Sequence, residues 1–369
     1  MTADRAPIRT VLGPAALNRA TLHRQLLLRR SPITALAAVR HLVGLQAQEA
    51  KAPYVGLWSR LDGFDRAALS ALVHNRQVVR SSVLRGTQHL VAADDFLWLR
   101  PLIQPTLDRA RQATWGRDLA GVDVAELAAE GRALLRGRTL TRPQLRDALA
   151  PRWPGKPPDA LAWSVQSLVP VVHRPAAGEW GQGGATPFTL AEEWIGRPLS
   201  ATPQPEALIL RYLAGYGPAT VKDVQSWSGV RGLAEVVDRL GPRLRSFADD
   251  AGRTLYDLPD APRPDADTPA PVRFLPEYDN LLLAFADRTR MMTDEHRRRV
   301  CVGALVAPTF LVGGRVAGIW KIRTSDGRCT VTINPFDPLE GADRVALAEE
   351  ALRMAAFIAP AAQHGVEVH

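Results

Sequence analysis

At 369 residues the chain is long enough for two to four domains and a substantial core, so it needs no disulfide or metal to hold it together. A hydrophobic fraction of 46% and a charged fraction of 23% are those of an ordinary soluble protein, and 46 Lys plus Arg against 38 Asp plus Glu leave a net charge of +8. The excess points to a polyanion, nucleic acid or an anionic membrane surface, although richness in Arg, Ala, Pro and Gly also follows from a GC-rich genome.

The only cysteines, Cys301 and Cys329, stand in no C-x-x-C pair and beside no histidine cluster, which argues against a zinc site or a secreted disulfide framework. The opening residues contain no apolar stretch of signal-peptide length, and no run reaches about 18 apolar residues. A cytoplasmic protein is expected.

In chain order, "ALNRATLHRQLLL" has helical spacing, and Ser31-Pro32 starts a second helix through "ITALAAVRHLVGL". "GLWSRL" and "DRAALSALVHNR" read as further helical pieces. "VVRSSVLRGTQHLVA" then changes to a strand pattern with a turn at Gly86. Helices followed by a hairpin are the layout of a winged helix. The next hundred residues repeat it: helices in "DVAELAAEGRALL" and from Arg142-Pro143, a third in "DALAWSVQSL", a strand near residues 169–174, and a Gly-rich tip over residues 178–184. A third pass places a helix in "PEALILRYLAGY", a helix capped by Thr220 with Asp223 in the capping-box position, "GLAEVVDRL", and a hairpin turning at residues 249–252. "GRTLTRPQLRDAL" and "GPATVKDVQSWSG" share a Gly, a Thr near the helix start and the same apolar spacing.

The expected fold is therefore α+β, with three tandem winged-helix units at residues 1–100, 101–203 and 204–260, a period too long for a solenoid. A Pro- and Asp-rich linker covers 259–271. A β-rich region with a terminal helix fills 272–369, with strand-like "VRFLPEYDNLLLAFADRTRMM" and hairpin turns at Gly313-Gly314 and Asp326-Gly327.

Winged helices on a basic chain read DNA through the third helix and the wing, although many mediate only protein contacts. Candidate phosphate contacts are Arg80, Arg85 and His89 on the first hairpin, Arg297, Arg298 and Arg299, and Arg315, Lys321 and Arg323 in the C-terminal region. Each can equally be a solvated surface charge, and His89 a packing histidine. Arg315 at a Gly-Gly turn suggests a narrow tip that enters a minor groove.

The stretch "HLVGLQAQEAKAP" poses the chemical question. Leu36, Val39, Leu42 and Val43 form an apolar stripe whose next i+3 step is Gln46, directing that amide to the interior or to a cleft. A buried glutamine that fixes the next loop satisfies the pattern as well. Gln46 and Gln48 diverge by about 200° on a helix but share one side of an extended segment, so joint action requires the helix to end or loosen near Leu45. Two amides do not titrate near neutral pH. They can hold a water while the nucleophile is positioned, which suits a reaction whose leaving group is already activated, such as loss of a cationic N7-alkylated guanine.

The three winged helices, "HLVGLQAQEAKAPYVGLWSRL", "LRGTQHLV", "RFLPEYDNLLLAFADRTRM" and "GRVAGIWK" together resemble the bacterial winged-helix DNA glycosylases typified by the azinomycin-resistance glycosylase. The resemblance implies that Gln46 and Gln48 are the catalytic pair at the centre of a concave, basic DNA-binding surface. It implies monofunctional hydrolysis of N7-alkylpurine lesions in double-stranded DNA by a monomer, with no metal and no small-molecule cofactor, and extends to unhooking of interstrand crosslinks made by a DNA-alkylating natural product. Gln48 places the chain in the Gln-x-Gln branch rather than the branch with Asp at that position, and Glu49 is a neighbouring carboxylate. A non-enzymatic winged-helix DNA-binding regulator is the alternative.

Overall fold

The computed structural model describes residues 10–175, 180 and 186–369. The Gly-rich tip expected over residues 178–184 lies outside them, apart from Trp180.

The first segment runs α1 (Pro14–Arg24), α2 (Ala35–His41), β1 (Leu45–Gln46), α3 (Ala52–Arg60), α4 (Arg66–His74), β2 (Val78–Ser82) and β3 (Gln88–Ala92). Helix α2 starts three residues later than Ser31-Pro32 suggests, because the Thr34 side chain accepts from the Ala37 amide at 3.2 Å and supplies the cap. It stops at His41, where Val43 (φ 55°) and Gly44 (φ 98°) take left-handed conformations. The apolar stripe thus outlives the helix, and the chain reaches Gln46 as a strand. The cause is a close approach: a Cβ on Gly44 would lie 2.5 Å from Val91 Cγ1, so no other residue lets β1 pair with β3 there.

The second segment holds α5 (Ala93–Leu102), α6 (Gln104–Trp115), α7 (Val124–Leu135), α8 (Arg142–Leu149), α9 (Pro158–Leu168), β4 (Val171–His173), β5 (Phe188–Leu190) and α10 (Ala191–Ile195). The third holds α11 (Pro205–Tyr216), α12 (Val221–Ser228), α13 (Ala234–Leu240), β6 (Arg245–Ala248) and β7 (Thr254–Asp257). Capping boxes open α8 (Thr141 with Gln144) and α12 (Thr220 with Asp223). The hairpins of the first two segments join in one antiparallel sheet, β1-β3-β2-β4-β5, through the pair Arg80↔His173.

Beyond residues 258–272, which form no helix or strand, come β8 (Arg273–Leu275), α14 (Asn280–Leu283), α15 (Asp294–Val300), β9 (Cys301–Val302), β10 (Leu305–Val306), β11 (Thr309–Val312), β12 (Arg315–Ser325), β13 (Arg328–Pro335), α16 (Gly341–Ile358) and β14 (Gln363–Val368). Only three residues of the strand-like 272–292 stretch are a strand. Asp279 accepts from the Leu281 amide at 2.9 Å and turns the chain into α14 instead. Helix α16 is not terminal. It returns β14 parallel to β13 at the edge of the sheet β14-β13-β12-β11-β8, and Leu347, Ala351 and Met354 pack on that sheet's core.

Two buried ion pairs tie distant segments together. Arg24 on α1 meets Asp257 on β7 at 2.6 and 2.8 Å, and Arg60 on α3 meets Asp279 at 2.8 Å through both guanidinium nitrogens. Among the described residues, no helix is long and apolar enough to cross a membrane.

Gly63 also has a positive φ (60°) but open space around its Cβ position. Gly63→Ala should lose only the backbone term, about 1–2 kcal/mol. Gly44→Ala adds the Val91 clash and should lower the thermal midpoint further. Equal calorimetric midpoints for the two variants would overturn the close-approach argument.

Candidate active site around Gln46 and Gln48

Once α2 ends, residues 45–47 are extended and the Ala47 amide continues the β1–β3 pairing by donating to the Gln88 carbonyl at 2.8 Å. Gln48 follows at a bend, where its N–H turns back onto Gln46 Oε1. Gln46 and Gln48 accordingly line one open cavity of about 430 Å³, together with Arg85, Thr87, Tyr278, Leu283, Arg288, Cys301, Gly303, Ala304 and Val306.

Gln46 is 5% exposed and held at its backbone N–H and at both polar atoms of its side chain. Its backbone N–H donates to Asn280 Oδ1 (3.0 Å), its Oε1 accepts from the Gln48 N–H (2.8 Å), and its Nε2 donates to Thr87 Oγ1 (3.2 Å). Asn280 also donates to the Gly44 carbonyl (2.6 Å) and to Tyr216 Oη (2.9 Å), while Tyr216 donates to the Leu42 carbonyl. The turn out of α2 is thereby clamped from both sides. The Gln46 carbonyl oxygen keeps one lone pair and its amide one N–H. The exposed Gln48 side chain has no hydrogen-bond partner among the described residues, so its amide is free to turn toward a ligand.

Charge in the cavity is one-sided. Arg85, in a left-handed turn (φ 55°), donates to the Trp227 carbonyl, and burial pulls its guanidinium down to about 10. Arg288 Nη1 lies 3.3 Å from Cys301 Sγ. No carboxylate is among the lining residues. Glu49 is exposed and does not line the cavity. Glu277 nearby is raised above the usual carboxylate range by burial, with a smaller push from Glu49.

The other expected contacts divide. Arg85 joins the glutamines. His89 does not reach a phosphate as placed: at 1% exposure it sits in β3 opposite Gln46, Nδ1–H donating to the Thr87 carbonyl at 2.9 Å. Burial, reinforced by Arg85, pushes it down to about 3, so it is neutral. Arg80 is spent inside the sheet, donating to the Ala47 carbonyl and to His173 Nδ1. The Gly313-Gly314 turn is no free tip. Asn18 and Arg19 of α1 donate to its carbonyls, and Arg315 turns back onto the carbonyls of Thr289 and Arg290. Lys321 and Arg323 are exposed on β12 and do not line the cavity, while Arg297, Arg298 and Arg299 are exposed on α15.

Sequence reasoning passed over Thr87, Tyr278, Asn280 and Arg288. For Tyr278 and Asn280 the signal was the polar "EYDN" inside an apolar stretch, where a strand reading gave them no partner; Thr87 and Arg288 carried no such signal.

Comparison with known proteins gives the class first: the chain is a DNA glycosylase, an enzyme that separates a base from its sugar. The family model described as DNA glycosylase AlkZ-like matches residues 39–357, and the chain belongs to that family. A similar curated protein is the interstrand DNA cross-link repair glycosylase of Streptomyces sahachiroi, 25% identical over 379 aligned positions that cover 90% of this chain and 93% of the relative. A solved structure, Streptomyces sahachiroi DNA glycosylase AlkZ, shares the fold with a TM-score of 0.81 at 22% identity, covering 98% of this chain and 100% of that one.

The buried histidines set a pH dependence. His89 and His173 are both depressed to about 3, mainly by burial, whereas an unfolded histidine binds its proton near 6.5. Between those values the unfolded chain carries more protons, so the stability is fully present above pH 6.5 and is lost as pH falls below it. Urea midpoints should drop from pH 7.5 to pH 5. His89→Asn, which keeps a donor but does not titrate, should flatten that drop; an unchanged slope counts against the buried neutral state.

Proposed function

We propose that this DNA glycosylase hydrolyses the N-glycosidic bond of N7-alkylated guanine in duplex DNA, with Gln46 and Gln48 holding the attacking water. The observation that carries the reading is a cavity lined by two amides and two guanidiniums with no carboxylate among its lining residues. Such a site offers no general base of ordinary pKa. It therefore favours a substrate that needs none: N7-alkylated guanine is cationic and leaves as a neutral base. What remains is to place a water against the anomeric carbon, which Gln46 Oε1 and the Gln48 amide oxygen can do by accepting its hydrogens; as its oxygen bonds to that carbon and the bond to the base breaks, the water's spare proton passes to solvent through the open cavity. Arg85 and Arg288 then act on phosphates beside the lesion.

The α+β architecture supports a reading as three winged-helix units over residues 1–100, 101–203 and 204–260, with residues 272–369 closing a basic concave surface. The chain acts as a monomer without metal or organic cofactor on this reading. The name of the Streptomyces sahachiroi relative, a cross-link repair glycosylase, supports unhooking of an interstrand crosslink as a further reaction of the same site. The element that enters the duplex is reassigned from the Arg315 turn to the β9–β10 hairpin. That hairpin borders the cavity through Cys301, Gly303, Ala304 and Val306 and exposes Val302 (63%) and Leu305 (66%), apolar side chains suited to wedging between base steps.

Purified protein incubated with a duplex carrying 7-methylguanine should release free base, measured by chromatography. Gln46→Ala and Gln48→Ala should each slow release on the order of 10²-fold under single-turnover conditions, the scale expected for a lost positioning contact, with duplex affinity little changed. Wild-type rates in both variants would remove the pair from catalysis.

A further inference from the structure

A second cavity, of about 280 Å³, opens on the other side of the first hairpin turn. It is lined by Ser82 and Gly86 of that turn, Leu107, Arg111 and Trp115 of α6, and Trp163 and Gln166 of α9, among others. Residues 82–87 divide the two cavities: Arg85 and Thr87 face the glutamine pair, Ser82 and Gly86 the second space.

Two lining side chains are buried and underused. Arg111 is 9% exposed, yet its Nε has no partner and its one hydrogen bond among the described residues is a 3.5 Å contact from Nη2 to Gln112 Oε1. Gln166 is 8% exposed. Its Oε1 accepts from Arg142 Nη2 at 3.3 Å, and its Nε2 has no partner. The Arg142 guanidinium lies 3.4 Å above the Trp163 ring, adding a second positive charge beside the opening. No carboxylate lines the space. A buried guanidinium without a counter-ion is unfavourable unless something else supplies the negative charge. Arg111 Nε and Gln166 Nε2 are closed off from solvent, so a ligand meets them only once the side chains turn toward the space; both are donors, and their missing partner is an acceptor. An oxyanion bound through the planar guanidinium fork meets both the charge and the donor count.

We propose that Arg111 and Gln166 bind a backbone phosphate of the DNA strand whose lesion occupies the Gln46–Gln48 cavity. The proposal rests on the base-releasing reading of that cavity for its choice of ligand. Because the 82–87 turn borders both spaces, a strand that leaves the first by passing over that turn enters the second. Arg111 is thus a positioning residue that fixes the register of the strand.

The test is the dissociation constant of undamaged duplex measured from about 50 to 200 mM salt for the full chain and for Arg111→Gln, Gln166→Leu and Arg111→Lys. Arg111→Gln should bind roughly tenfold more weakly with a salt slope shallower by about one, as loss of one phosphate contact requires. Arg111→Lys should keep the slope, because it keeps the charge. Gln166→Leu should weaken binding with an unchanged slope. The thermal midpoint of Arg111→Gln should not fall, since an unpaired buried charge has been removed. A wild-type slope and affinity in Arg111→Gln overturns the proposal, as does a fallen midpoint with an unchanged slope, which marks a packing role. A free phosphorylated ligand is the other source of the same chemistry. If inorganic pyrophosphate raises the thermal midpoint of the wild type but not of Arg111→Gln while the DNA slopes agree, the strand assignment is overturned. Release of 7-methylguanine with no slope difference leaves the glycosylase reading standing and removes this site. An Arg111-dependent slope without base release keeps this site and removes the N7-alkylguanine reading.

Discussion

The structure depends on the way the chain leaves α2. Val43 and Gly44 reverse the helical path in two left-handed steps, and Gly44 passes so close to Val91 that only a hydrogen can occupy its side-chain position. From there the backbone runs along the edge of β3, and the bend that follows brings Gln48 to the space that Gln46 lines. Had α2 continued by one more turn, the two amides would have pointed in nearly opposite directions and one of them would have entered the core.

A tight turn of this kind is costly, and what holds it comes from far along the chain. Asn280 joins the Gln46 amide, the Gly44 carbonyl and Tyr216, so one side chain satisfies three buried groups that a strand edge would otherwise leave open. Asn280 is itself placed by its neighbour: Asp279 is locked to Arg60 of α3, the helix that follows the glutamines. The site is therefore built as a loop of dependencies, from α2 through the glutamines to α3, to Asp279, to Asn280 and back. Replacement of a buried ion pair by apolar residues can be neutral for stability. Here the pair also fixes the direction of the residues beside it, which an apolar contact would not do.

Much of this was legible in the sequence and some was not, for reasons that can be named. The hairpin turns at Gly86, 249–252, Gly313-Gly314 and Asp326-Gly327, and the capping box at Thr220, are local signals and appear where local chemistry puts them. The glutamine pair stood out because two amides interrupt an apolar pattern. Gln46 is buried as its place in the apolar stripe implies, but from a strand, since the helix has already ended at His41. His89 was misplaced because a residue's charge type says nothing of its exposure, and the tip expected at Arg315, itself exposed, because its turn packs on a distant helix. His89 faces inward from a strand covered on both sides, and the Gly-Gly turn beside Arg315 docks on α1, a contact across nearly 300 residues of sequence. The parallel strand β14 likewise pairs only after α16 has crossed the sheet, which no local pattern announces.

The uncharged character of the glutamine pair follows from its neighbours. A carboxylate at position 46 or 48 would stand in a cavity that holds Arg85 and Arg288 and would be drawn into an ion pair with one of them, losing basicity and orientation together. An amide is indifferent to that field. On the proposed reading it presents its oxygen to a water whether or not the arginines are engaged, and the arginines stay available for phosphates. On the proposed reading the substrate supplies the one positive charge that matters for bond cleavage, carried by the leaving base, and the protein has no need to generate another. The division of labour is then electrostatic: cations grip the strand, neutral dipoles hold the nucleophile, and the chemistry of the lesion provides the driving force.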